Sequence, residues 1–228
     1  MCGRIIQHQG PLTYAERFGL DTRDTRIPNL PPRCNGAPSQ DILVIRRNPE
    51  TARAELGALR WGLVPVWSSD LKIAWKTINA RAETVATTPA FRGAWKARRR
   101  CIVPVDGFYE WRREGKQKQP FMIARKDGKP LALAGLWEGW RDPQSGEWLR
   151  TFTILTCDAS PFMAPLHDRM PVILEEADVA RWLESDDVAS LLRPYGPDDL
   201  AMWPVSTRVN SPANEGPDLV EPITLPAA

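Results

Sequence analysis

Four segments carry side chains whose types and spacing could do chemistry. The first is Met1-Cys2-Gly3-Arg4. Aminopeptidases remove Met1 when the next residue is small, and the product here is a free 1,2-aminothiol. Its amine titrates near about 7.7–8.0 and its thiol near about 8.5, so both supply a nucleophile close to neutrality. An aldehyde meeting this pair forms an imine with the amine, and the thiol then closes a five-membered thiazolidine. An internal cysteine cannot do this, because its nitrogen is locked in an amide. Gly3 allows close backbone approach, and Arg4 can hold an anionic group. The competing reading of a lone Cys2 is a frayed terminus.

The second segment is Ile78 to Thr84, in which an extended chain sets Asn79, Arg81 and Glu83 on one face and Ala80 and Ala82 on the other. That is an amide, a guanidinium and a carboxylate in a row; a solvated strand face with a local Arg81–Glu83 pair explains it equally. Third is Asp106-Gly107-Phe108-Tyr109-Glu110-Trp111, where Glu110 stands among aromatics that would raise its pKa if buried, as a general acid/base requires. A surface glutamate on a hairpin is the alternative. Fourth is Leu166-His167-Asp168-Arg169-Met170-Pro171. His167 sits between hydrophobic and charged neighbours before an apolar run, which suits a loop acid/base or a histidine bonded to backbone.

The rest of the chain must position these groups. With 228 residues, 43% hydrophobic and 25% charged, it suits one globular domain over 1–228. A net charge of +2 excludes a polycation, so any nucleic-acid partner needs a local basic patch. Arg92, Lys96, Arg98, Arg99 and Arg100 cluster, although a solvated helix face is the commoner cause of such a run. Cys2, Cys34, Cys101 and Cys157 lie far apart with no C-x-x-C pair, no leader-like apolar stretch opens the chain, and no apolar run could span a membrane. Reduced thiols in the cytoplasm are expected. With only His8 and His167, no structural zinc is expected. The 10 tryptophans are expected mostly in the core.

Twenty-two prolines divide the chain into short elements. Thr13-Tyr14-Ala15-Glu16 reads as a capping box, and Thr88-Pro89 as the start of a helix running to about Ala97. Strands are expected at Asp41–Arg46, Leu56–Leu63, Cys101–Val105, Phe108–Trp111, Phe121–Arg125, Leu131–Trp140, Thr151–Cys157 and Met170–Leu174, with hairpin turns at Glu114-Gly115 and Asp127-Gly128. Glu175–Leu183 reads as helix, and the proline-rich tail from Gly196 as an extended wrap. The pattern is α+β: mainly antiparallel sheet in a barrel-like core with a few flanking helices. No βαβ alternation, G-x-G-x-x-G or phosphate-binding loop occurs, so no cofactor is expected.

Taken together, these segments resemble the SOS-response-associated peptidase family of abasic-site-crosslinking proteins. The resemblance rests on Met1–Arg4, Arg33–Pro38, Trp61–Pro65, Asn79–Thr84, Asp106–Trp111 and His167–Pro171, in register, with Pro204–Ser206 and Val209–Asn210 near the end. It implies a sensor of abasic sites in single-stranded DNA that crosslinks itself to the lesion through Cys2, with associated lyase and self-processing peptidase activity. By that analogy Asn79 orients the amine or sugar, Glu110 shuttles protons, and His167 assists ring opening and reversal. Arg4, Arg81 and Arg169 match phosphate-gripping positions. Trp67 matches an aromatic beside the lesion, and with Pro38 it would exclude duplex. Ser68 stands where relatives often carry a second aromatic, and Trp203 where a polar residue such as histidine is expected. A metal-free cytoplasmic monomer, gathering at the nucleoid during damage, is the implied setting. An N-terminal-nucleophile peptidase using the same residues, and a non-catalytic single-strand binder, remain the alternatives.

Overall fold

The computed structural model describes residues 2–22, 27–115 and 117–225, so Met1 lies outside the described residues. Thirteen strands are described, with three short α-helices: β1 (Ile5–Gln7), α1 (Pro11–Arg17), β2 (Arg33–Gly36), β3 (Asp41–Arg47), β4 (Ala54–Trp61), β5 (Asn79–Arg81), α2 (Arg92–Lys96), β6 (Arg100–Val105), β7 (Gly107–Glu114), β8 (Gln117–Arg125), β9 (Leu131–Arg141), β10 (Trp148–Asp158), β11 (Arg169–Pro171), β12 (Ile173–Leu174), α3 (Val179–Glu184) and β13 (Leu200–Pro204).

The near-continuous apolar runs over 41–47, 100–105 and 131–141 favour strands buried on both faces. These strands pair in the order β10-β4-β3-β6-β9, and β9 returns to β10. The result is a closed five-stranded barrel, antiparallel except where β4 meets β10. Closure removes the barrel's free edges. Its interior is filled by side chains such as Trp61 and Phe152, both fully buried, stacked with ring centroids 6.0 Å apart. Truncating either to alanine would cost about 3–5 kcal/mol. A second sheet, β13-β8-β7-β1-β2, packs beside it. The buried Gln7 side chain joins the two, donating to the carbonyls of Leu43 and Pro104 and accepting from the amide of Leu43.

The expected α+β barrel is therefore present, with local corrections. The α1 helix starts at Pro11 with Gly10 as its cap, so Thr13 lies inside the first turn and the capping box does not form. The Thr88–Ala97 helix shrinks to α2, because the Thr84 carbonyl takes the amides of Thr87 and Thr88 in a separate turn. Asp127-Gly128 makes a turn but no hairpin: β8 and β9 belong to different sheets. The expected Met170–Leu174 strand divides at Val172, whose amide bonds β10 at Leu155 while its carbonyl accepts from β9 at Ala134. The tail is not merely a wrap, since β13 pairs with β8 along its length. Of the tryptophans, only Trp61, Trp137, Trp140 and Trp182 are buried.

Candidate active site

The N-terminal residues are pinned as a strand rather than frayed. Ile5 and Ile6 pair antiparallel with Phe108 and Gly107, and the Tyr109 amide donates to the Arg4 carbonyl at 3.0 Å. Continuing that ladder by one step places Gly3 opposite Glu110. Cys2 is fully buried against the core. Burial pushes its thiol up to about 12, and the charge of Glu110 pushes in the same direction. The thiol is accordingly neutral at physiological pH, with a carboxylate near enough to disfavour its ionisation. Glu110 is itself buried, and its Oε1 accepts from the Trp111 amide at 3.2 Å.

Asn79 reaches the same residue from the other side. β5 lies parallel to β10, with Asn79 opposite Ile154, and the Trp61 indole donates to the Ile78 carbonyl at 2.9 Å. So held, Asn79 Nδ2 donates to the Cys2 carbonyl at 2.7 Å. A carbonyl can be met only by a donor, which settles the orientation of the amide. Its Oδ1 is buried and finds no hydrogen-bond donor among the described residues. An acceptor left in that state costs about 1–3 kcal/mol. Asn79 and Arg81 share a strand face as expected, but the chain turns after Arg81 and Glu83 pairs elsewhere.

That partner is Arg169. Its guanidinium makes a two-pronged contact with Glu83, at 2.7 and 2.9 Å, and also binds Asp158 and the Thr156 carbonyl. These bonds tie the turn after β5 and the end of β10 to β11, two residues beyond the half-buried His167. The contact with Arg169 keeps the Glu83 carboxyl below its ordinary value. His167 Nδ1 lies 2.9 Å from the Arg169 amide and 2.7 Å from Asp168 Oδ1. One nitrogen cannot accept from the first and donate to the second at once. The amide is a fixed donor whereas Asp168 is an exposed side chain, so Nδ1 accepts and neutral His167 carries its proton on Nε2. The other histidine, His8, is structural, its Nδ1 2.8 Å from the buried Asp106.

Arg4 is drawn inward. It donates to Asn35 Oδ1 at 2.9 Å and the Val209 carbonyl at 2.8 Å, and lies over Trp111. Arg81 is exposed and Pro38 half-buried at the end of β2. Trp67 is 60% exposed on the long connection from β4 to β5. That connection is seated by Gly62, whose φ of +116° suits glycine and whose added Cβ would meet the Ala74 carbonyl at 2.7 Å. The Trp140 indole donates to the Ser68 carbonyl, so Ser68 serves the loop's anchoring. Trp203 donates to the Val220 carbonyl, fastening the tail. Missing from the sequence reading was the 3-10 turn Leu71–Lys76 on this connection, which presents Trp75, 68% exposed, beside Lys72 and Lys76. The spacing Lys72, Trp75, Lys76 was its only signal. No cluster of His, Cys, Asp and Glu fit to hold a metal occurs among the described residues, and none of their helices is long and apolar enough to cross a membrane.

Comparison with known proteins matches residues 1–212 to the family described as SOS response associated peptidase (SRAP). The abasic site processing protein YoqW of Bacillus subtilis is 43% identical, over 97% of this chain and 99% of its own. YedK of Escherichia coli, also called an abasic site processing protein, is 33% identical over 98% of this chain and 100% of its own. A crystal structure of a protein from Bacteroides thetaiotaomicron superimposes with a TM-score of 0.85 at 27% identity, covering 98% of this chain and all of the other.

Proposed function

Since the chain belongs to the SOS response associated peptidase family, we propose that it senses abasic sites in single-stranded DNA and shields them by closing a thiazolidine on Cys2 after Met1 is lost. The observation that carries this reading is that Asn79 is bonded to the carbonyl of the buried Cys2 while Glu110 lies close enough for its charge to act on the thiol.

The chemistry follows from those placements. His167 relays a proton at Nε2, passing one to the ring oxygen of the lesion's sugar and regaining one from the C1′ hydroxyl, so that the ring opens to the aldehyde and the imidazole ends neutral. The Cys2 amine, accepted by Asn79 Oδ1, attacks C1′, and the adduct loses water to form an iminium. The neutral thiol then gives its proton to Glu110, and sulfur adds to the iminium carbon. Amine, thiol and aldehyde have become a thiazolidine plus one water. Strand cleavage from the imine belongs to the same proposal as a lyase side activity, and so does self-removal of Met1. The exposed Arg81 would meet a flanking phosphate, Arg4 and Arg169 would do so by exchanging internal partners for it, and Trp67 with Pro38 would hold the strand open beside the lesion. The setting is the cytoplasm, acting as a monomer on damaged DNA.

Intact mass spectrometry before and after mixing with an abasic single strand tests this. The expected result is loss of Met1 and a denaturation-resistant mass increase equal to the DNA less one water, absent in Cys2→Ala. A normal adduct yield from Cys2→Ala would sink it. Retention of Met1 after expression in cells lacking aminopeptidase activity would remove the self-processing part alone.

A further inference from the structure

One end of the barrel opens into a cavity of about 990 Å³, remote in sequence from Cys2, lined by Arg47, Val66, Arg98, Trp137, Trp148 and Arg150 among others. Trp148, Arg150 and Phe152 alternate onto one face of β10, and Phe152 is in the core. That face therefore runs from the barrel interior out to the mouth, a common location for ligand sites in barrels.

The mouth is cationic and incompletely neutralised. Arg46 is only 7% exposed, with its guanidinium 4.7 Å above the Trp137 ring, and its Nε has no hydrogen-bond acceptor among the described residues. Its cross-strand neighbour Glu55 gives its carboxylate oxygens to Asn48 and Thr51 instead. Burial, and then the like charge of Arg150, hold the Arg46 guanidinium below its ordinary value. Arg98 and Arg99 are paired with Asp186 and Glu138, and among the described residues the only carboxylates lining the mouth are Glu50 and Glu184. A buried cation without a matched anion is costly, and an incoming anion relieves it. Trp148, 72% exposed, adds an unstacked aromatic face at the rim. Phosphate and stacking surfaces side by side are what a single strand needs. Val66, on the same rim, immediately precedes Trp67.

We propose that the barrel mouth is a second binding site for single-stranded DNA, taking nucleotides that flank the captured lesion, with phosphates at Arg47, Arg150 and the Arg46–Trp137 wall and a base on Trp148. This rests on the reading that Trp67 stands beside the lesion.

Crosslinking rates at subsaturating DNA test it, with abasic strands of roughly five and roughly twenty nucleotides, in wild type, Trp148→Ala and Arg150→Glu. Both variants should match wild type on the short strand and fall about tenfold on the long one. Arg150→Glu should also lower the log–log salt slope for the long strand by about 0.7. Wild-type rates on the long strand, or equal losses on both lengths, would overturn the site. Fluorescence anisotropy with an undamaged strand of the longer length reads the mouth without the chemistry. If wild type formed no crosslink at all, weaker binding by the variants would still support the site, and unchanged binding would still overturn it.

Discussion

Asn79 and Cys2, 77 positions apart, are joined by a 2.7 Å hydrogen bond from the side-chain amide of one to the carbonyl of the other. The bond holds the carbonyl of the residue whose amine the proposed reaction uses. Asn79→Asp removes the donor and sets a carboxylate against a carbonyl. Crosslinking should slow about tenfold or more through lost positioning, and the melting temperature should fall as well, because a carboxylate then faces a buried carbonyl. A time course on denaturing gels reads the rate. An unchanged rate would show that the bond is merely structural.

Glu110 affects the thiol in two ways that can be separated. Glu110→Gln removes the proton acceptor, so crosslinking at neutral pH should fall by about 100-fold. Removing its negative charge should also lower the Cys2 pKa, because that charge helps raise it. Alkylation of Cys2 followed against pH should then turn on at lower pH than in wild type. A shift to higher pH, or none, would contradict the proposed proximity.

Gly62 tests the seating of Trp67. Gly62→Ala meets both a left-handed φ and the Ala74 carbonyl at 2.7 Å, and should destabilise by about 1–3 kcal/mol. Urea denaturation measures this. Among molecules still folded, affinity for undamaged single strands should also drop, since the displaced connection carries Trp67 and Trp75.

Alkaline stability follows from the buried thiols. Burial pushes Cys2 up to about 12 and Cys157 up to about 11 from an ordinary 9.0, and it raises Cys101 as well. Below pH 9 both folded and unfolded thiols are protonated and nothing is lost. Above it the unfolded chain releases protons that the folded chain keeps, so stability falls until the folded values are reached. Each fully buried thiol contributes a slope of up to about 1.4 kcal/mol per pH unit. Cys101→Ala should therefore be less stable than wild type at pH 8 yet decline more slowly between pH 9 and 10, as read from urea midpoints. Parallel declines would rule this out.

Much of the site was legible because its residues are rare types in local settings. Cys2 next to glycine, Glu110 among aromatics and His167 between hydrophobic and charged neighbours stand out as candidates within a few positions, though each has a bland alternative until the segments are taken together. Strand existence was legible for the same reason, since a short apolar run is local. Pairing was not. Nothing near Val172 shows that the chain there crosses from β10 to β9, because the partners Leu155 and Ala134 are set by barrel closure. Nor did Arg46 stand out at the end of an apolar strand. Its isolation depends on Glu55 being engaged by Asn48 and Thr51, a matter of side-chain geometry. The same holds for Arg169, whose partners Glu83 and Asp158 come together only when β5 and β11 flank β10.

β10 carries one further consequence. It is bonded to β9 without a break in register from Trp148 to Ile154, and then to β5 and β11 as far as Asp158. Arg150 and Asp158 thus stand about 26 Å apart on a rod that can neither stretch nor slip. For a DNA strand that meets both ends as proposed, β10 would act as a ruler, setting a minimum length below which one molecule cannot touch both.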